Sequence, residues 1–219
     1  NSVREYFPEE QYTLFNNSMI EDFLRNNYEP IVLSTYKKLN PFSYKSDFAR
    51  YCILNKIGGW YFDIGLKCAS NFSIPKNIQL LIFRDINLYT KTSWACAPGI
   101  IYSEKGHPTL QRAIDLIIEN CKNQYYGLTP LCPTGPSLWG KAVAEIGIDS
   151  TTIVGDFIEL TPFHSNKNKA MVLPDGKIFA YNKPAQGGDL TVFGCKGTNN
   201  YNDYWNSKKV YNQREDLFP

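Results

Sequence analysis

Lys45-Ser46-Asp47-Phe48-Ala49-Arg50, followed at short range by Gly58-Gly59-Trp60-Tyr61-Phe62-Asp63-Ile64-Gly65, is the stretch whose reading decides the fold. From Tyr44 to Lys56 the apolar residues Phe48, Tyr51, Cys52, Ile53 and Leu54 form a broad stripe of helical period, and Gly58-Gly59 terminates it. Trp60-Tyr61-Phe62 then reads as a buried strand that delivers Asp63 to its carboxyl end. Asp47 and Arg50, three residues apart, share one helix face. In open α/β sheets ligands bind beyond the carboxyl ends of the strands. A carboxylate placed there can hold a hard divalent cation and, through it, a diphosphate. The plainer alternative is a surface ion pair on the helix and an unrelated loop aspartate.

Outward from this unit, strands and helices alternate. Tyr12–Phe15 is expected to be a short strand. Ser18 to Glu21 has capping-box spacing ahead of a helix bearing Ile20, Phe23 and Leu24. Pro30 suits the first turn of a second helix that runs to about Lys38, and Asn40-Pro41-Phe42 ends it. Strands are expected at 80–83, 94–97, 157–160 and 177–180, and helices at 108–121 and 136–146. The pattern is that of an α/β sandwich without internal repeats.

Composition bounds the function classes. At 219 residues, 43% hydrophobic and 20% charged, the chain can bury one sizeable core and is short for two, so one domain over 1–219 is expected. Lys plus Arg number 23 against 21 for Asp plus Glu, and no basic run occurs, which argues against nucleic acid as a partner. A diphosphate needs only a few local cations. The 15% aromatic share, with 15 Tyr, suits a sugar or base cleft as well as a Tyr-rich core. Cys52, Cys68, Cys96, Cys121, Cys132 and Cys195 include no C-x-x-C pair and read as buried free thiols. The tripeptides Asn16-Asn17-Ser18 and Asn71-Phe72-Ser73 leave a secretory origin open, although a cytoplasmic setting is favoured over a Golgi lumen. No apolar run has the length of a membrane span. His107, beside Pro108 at a helix start, reads as a cap, and His164 as a loop residue. No Ser/His/Asp order or Cys/His pairing is present that would support covalent hydrolysis.

The motif Lys45–Arg50 with Gly58–Asp63 resembles the glycosyltransferases whose sugar-binding region contains a DXD motif. That family includes initiating α-1,6-mannosyltransferases and capsular polysaccharide sugar transferases, with the large glucosylating toxins as distant relatives. Tyr12 to Leu24, Gly106-His107-Pro108, Thr134-Gly135-Pro136 and the late Trp205 extend the likeness over most of the chain. The resemblance implies a nucleotide-diphospho-sugar transferase fold of the GT-A, Rossmann-like type, a mixed sheet flanked by helices. It implies transfer of a hexose from a UDP- or GDP-sugar to an oligosaccharide or glycan acceptor, with retention of configuration and with Mn²⁺ or Mg²⁺. Asp47, Arg50 and Asp63 are the implied catalytic residues, with Asp63 on the metal and Asp47 and Arg50 on the donor sugar. Gly59, Tyr61, Thr134, Gly135 and Trp205 would bind donor or acceptor, and Asn200 (or Asn199) would join the metal.

Two departures qualify the likeness. Gly65 stands where the second acid of D-x-D is expected. The chain also starts after the family's first strand, so a sheet without that strand is expected. Both motivate an alternative, a non-catalytic module that binds a nucleotide sugar or glycan through a degenerate Asp-Ile-Gly site.

Overall fold

The computed structural model describes residues 2–86, 90–160, 169–182 and 200–212. Seven helices and seven strands are present among them: α1 (Ser2–Tyr6), α2 (Asn17–Asn27), α3 (Pro30–Lys38), α4 (Phe42–Ile57), β1 (Gly59–Phe62), β2 (Leu66–Cys68), β3 (Leu80–Arg84), β4 (Cys96–Ser103), α5 (Pro108–Lys122), α6 (Pro136–Ile146), β5 (Thr152–Glu159), β6 (Lys169–Val172), β7 (Ile178–Asn182) and α7 (Tyr201–Asn206). The strands form one mixed sheet in the order β1-β4-β3-β5-β6-β7-β2, in which only β3 and β5 run parallel. The expected α/β class with a mixed sheet flanked by helices is therefore what the chain adopts.

The first and last strands of that order are consecutive in sequence, with only Asp63, Ile64 and Gly65 between them. A flat sheet would hold them six strand positions apart, at ~4.8 Å each, which three residues at ~3.4 Å cannot span. The sheet must curl until its ends meet. Contacts across the curl agree: a Cβ built on Gly99 of β4 would lie 3.1 Å from Leu66 Cδ1 of β2 and 3.5 Å from Met171 Cε of β6.

Each sheet face has its own core. Leu66, Leu81, Phe83, Ile100, Met171 and Phe179 fill the inside of the curl, where Phe7, Trp60 and Phe62 ring Phe179. Leu80, Ile82 and Ile101 face the other way, onto Phe48, Tyr51, Leu54, Leu110, Ile117 and Trp139 of α4, α5 and α6. This alternation along β3 and β4 is the period of a strand buried on both sides.

Several expectations need correction. Residues 12–15 are irregular, with Leu14 64% exposed, because no neighbouring strand among the described residues offers them a partner. Asn16, not Ser18, caps α2: its Oδ1 accepts from Met19 N at 3.0 Å and from Ser18 Oγ at 2.8 Å. The strand expected at 94–97 begins at Cys96 and continues through Pro98-Gly99 to Ser103. It tolerates that proline through a bulge. Leu81 pairs with Tyr102 and Phe83 with Ala97, so two steps on β3 correspond to five on β4. His107 caps α5, accepting from Thr109 N, as its position predicts. Cys52, Cys68, Cys96, Cys121 and Cys132 are free, the first four buried. Cys195, His164 and Asn199 lie outside the described residues.

Gly140 marks the tightest helix–strand approach. A Cβ there would stand 1.9 Å from Trp94 O and 2.8 Å from Ala95 Cα, which are backbone atoms that cannot rotate away. Gly140→Ala should therefore lower stability by about 2–4 kcal/mol in a urea titration. Gly65→Ala is the control: its Cβ meets nothing within 4 Å and its φ is not positive, so it should change stability by less than about 1 kcal/mol.

Candidate functional site

The site forms where the amino-terminal half of α4 passes the carboxyl end of β1. Gly58 and Gly59, with φ of 71° and 92°, turn the chain from helix to strand. At Gly58 a side chain would also press on Lys105 N, at 2.8 Å. That turn places β1 antiparallel to β4, with Asp63 N donating to Gly99 O at 2.8 Å. Tyr61 then faces the helices, while Trp60 and Phe62 face the inside of the curl.

Arg50 is the hub of the site. Its side chain is 4% exposed, and each guanidinium direction is occupied. Nη2 meets Asp47 Oδ1 at 2.8 Å and Asp63 Oδ1 at 3.7 Å, Nη1 donates to Pro98 O at 2.6 Å, and Nε donates to Ser46 O at 3.2 Å. The cation lies 4.6 Å from the centre of the Tyr61 ring. The bulge in β4 explains Pro98: residues that leave the ladder have carbonyls free to accept elsewhere.

Asp47 is held at both oxygens, by Arg50 at Oδ1 and by Thr134 Oγ1 at Oδ2, 2.8 Å away. Gly135 closes over the same carboxylate, since a Cβ there would lie 3.4 Å from Oδ2 and 3.3 Å from Leu131 O. Tyr51 Oη reaches Thr134 O at 3.3 Å and its ring stacks on Trp139, so the Thr134–Gly135 turn is fixed from below. Asp63 differs. Its side chain is 40% exposed, and Oδ1 accepts from Tyr61 Oη at 2.7 Å.

Charge follows from burial. Loss of water raises the Asp47 pKa against the pull of Arg50 and Thr134, with Asp63 adding to the rise. Burial by itself would lower Arg50, but Tyr61, Asp63 and Asp47 more than offset it, and the guanidinium stays charged. Burial and Asp63 hold the Tyr61 hydroxyl protonated, as a donor to that carboxylate.

Asp47, Arg50, Asp63, Tyr61, Thr134 and Gly135 are thus one connected group. Gly59 sits at the opposite end of β1 from Asp63. Asn200 and Trp205 lie on or beside α7. Asn200 Oδ1 accepts from Asn202 N at 3.0 Å and Nδ2 at 2.9 Å, and Trp205 Nε1 donates to Tyr126 O at 2.8 Å. That helix reaches the site through Tyr201, whose ring is 6.2 Å from that of Tyr44 and whose hydroxyl feels the charge of Asp47. Ser46, Pro98 and Tyr201 were not anticipated. Two of Arg50's partners are backbone carbonyls, which carry no residue-type signal. Among the described residues, no group of three His, Cys, Asp or Glu side chains is placed to hold a metal ion. No helix among them is long and apolar enough to cross a membrane.

Residues 1–81 match the family described as "Glycosyltransferase sugar-binding region containing DXD motif", a span that includes Asp47, Arg50, Tyr61 and Asp63. The chain is similar to "Uncharacterized glycosyltransferase L373" of Acanthamoeba polyphaga mimivirus, at 32% identity over 136 residues, which is 60% of this chain and 50% of that protein. The match thus spans half the length of this curated relative. Among solved structures it is similar to "PaToxG Glycosyltransferase", at 21% identity with a TM-score of 0.45, over 66% of this chain and 50% of that one.

Removing the buried cation tests the network. Arg50→Met should cost about 3–5 kcal/mol in urea at pH 7.5, because Asp47 is left buried without its cation. Asp47, already raised, then rises further, so the folded state binds a proton that the unfolded state binds only near pH ~3.9. Stability of the variant relative to the parent should therefore recover as the pH falls towards ~5. A pH-independent loss would show that Asp47 is not the group left uncompensated.

Proposed function

We propose, from the match of residues 1–81 to a glycosyltransferase sugar-binding region, that this chain transfers a hexose from a nucleotide diphosphate sugar to a glycan acceptor, with retention of configuration and with a divalent cation. The observation that carries this reading is the joining of Asp47 on α4 and Asp63 just beyond β1 through the buried Arg50, at a strand's carboxyl edge. The fold is read as a GT-A-type nucleotide-diphospho-sugar transferase.

The residues divide the work by exposure. Arg50 is buried and immobile, so it fixes the two carboxylates at low entropic cost. Asp47 is engaged at both oxygens, which leaves its remaining lone pairs to accept donor-sugar hydroxyls and disfavours it as a nucleophile. That supports transfer in which the acceptor attacks from the face the diphosphate leaves. Thr134 and Gly135 would line the sugar side of this group, and Trp205 would close it from α7.

Asp63 suits a hard cation of the Mn²⁺ or Mg²⁺ kind, which takes one or two carboxylates and completes its shell with phosphates and water. Tyr61 holds one oxygen of Asp63, and the side chain is partly open to solvent. Asn200 would join on releasing Asn202. The ion would supply positive charge to the departing diphosphate.

Gly65 favours a second reading, a binding module without turnover. The position has room for the missing acid, because a Cβ meets nothing within 4 Å and φ is not positive.

Screening UDP- and GDP-hexoses for hydrolysis or transfer with Mn²⁺ separates the two. The expected outcome is turnover by the parent chain that falls about a hundredfold or more in Asp63→Ala and on adding EDTA. Activity that survives both undiminished would sink the metal assignment. An inert parent that gains Mn²⁺-dependent turnover as Gly65→Asp would establish the binding-module reading.

A further inference from the structure

A second carboxylate stands at the same sheet edge and has no place in the network around Arg50. β1 and β3 both pair antiparallel with β4, so both end on the same side. Asp63 follows β1 and its N–H donates to Gly99 O. Asp85 follows β3 and its N–H donates to Ala95 O, at 2.8 Å. Pro98 O, the acceptor for Arg50, lies on the chain between those two carbonyls. Asp63 and Asp85 thus follow the two strands that flank β4, which lie two strand spacings, ~10 Å, apart across the sheet.

The groups described around Asp85 are charged or polar. β6 begins on this edge with Lys169, only 6% exposed, and its ammonium feels the charges of Glu159 and Asp85. Tyr201 on α7 feels the charges of both Asp47 and Asp85, so this helix lies near both groups. Arg84, the preceding residue, turns away to a bidentate pair with Asp156 across β5, at 2.7 and 2.9 Å. Among the described residues one Asp85 oxygen, Oδ1, has a hydrogen-bond donor, the Ile86 N–H at 2.7 Å.

We propose that Asp85 is the acceptor-side carboxylate of the site, taking a hydroxyl of the saccharide that receives the sugar, while Asp47, Arg50 and Asp63 hold the donor. The assignment rests on the glycosyl-transfer reading above. Burial pushes Asp85 up to about 6 against the Ile86 N–H and Lys169, as expected of a poorly hydrated carboxylate. A hydroxyl donated by an acceptor restores to it the hydrogen bonding that burial removes.

The test separates donor from acceptor chemistry on the whole chain. For whichever UDP- or GDP-hexose the parent hydrolyses, the rate with water as acceptor is compared with the rate of transfer to methyl hexopyranosides, in the parent, Asp85→Asn and Asp85→Ser. Near-UV circular dichroism identifies the variants that fold, and the smaller Ser replacement provides a second opportunity. The expected result is hydrolysis within about twofold of the parent and transfer reduced at least tenfold, with a raised KM for the methyl glycoside. Equal loss of hydrolysis and transfer, or loss of neither, overturns the acceptor assignment and leaves the donor reading standing. A parent that hydrolyses no nucleotide sugar and transfers to no methyl glycoside overturns both, a result distinct from any difference between parent and variant.

Discussion

The site depends on a buried guanidinium. A cation removed from water is tolerable only when its N–H groups are matched by anions or carbonyls at close range. Arg50 meets that demand from three separate parts of the chain: Ser46 and Asp47 one turn back on its own helix, Asp63 beyond β1, and Pro98 in the bulge of β4. Each partner fixes an element. Because the requirement is satisfied jointly, α4, β1 and β4 cannot shift independently without leaving a charge exposed to a dry interior. The carboxylates that would meet the substrate are therefore held by a structural necessity.

The curled sheet adds a second constraint. Asp63, Ile64 and Gly65 cross from the first strand of the hydrogen-bonded order to the last, and Leu66 N returns to Asp63 O at 3.0 Å to close a turn. The more exposed carboxylate of the Arg50 group thus sits on a three-residue link, anchored on one side by β4 and on the other by β7. Ile64, at the tip of the turn, is 77% exposed.

The sequence made the helix–glycine–strand unit legible because its signals are local. Helical period, a glycine stop and an aromatic strand each act over a few residues, so α4, β1, α5 and α6 fall within a few residues of their expected bounds. What escaped was determined at a distance. Residues 12–15 have strand composition but no strand beside them among the described residues. β2 is only three residues long and finds its partner in β7, more than a hundred residues away. The strand expected at 94–97 runs on through Pro98-Gly99 because β1 and β3 flank it and a bulge accommodates the proline. The same logic divides the site. Asp47, Arg50 and Asp63 carry a residue-type pattern, whereas the carbonyl of Pro98 and the edge position of Asp85 follow from topology alone.

The cost of this arrangement is visible beside it. Ser137 Oγ and Trp139 Nε1, just past the Thr134–Gly135 turn, are buried without a hydrogen-bond partner among the described residues, at about 1–3 kcal/mol each. Asp47 is buried far enough that its raised pKa opposes the charged form it must keep. These penalties are offset by apolar packing below them: Trp139 stacks on Tyr51 at 5.0 Å between ring centres, and both are fully buried against α4 and α6. A polar site stacked directly on that apolar pair can stay dry and rigid. Truncating either ring would loosen the turn that holds Asp47 as well as the core beneath it, so the helical core and the ligand-facing edge behave as one unit.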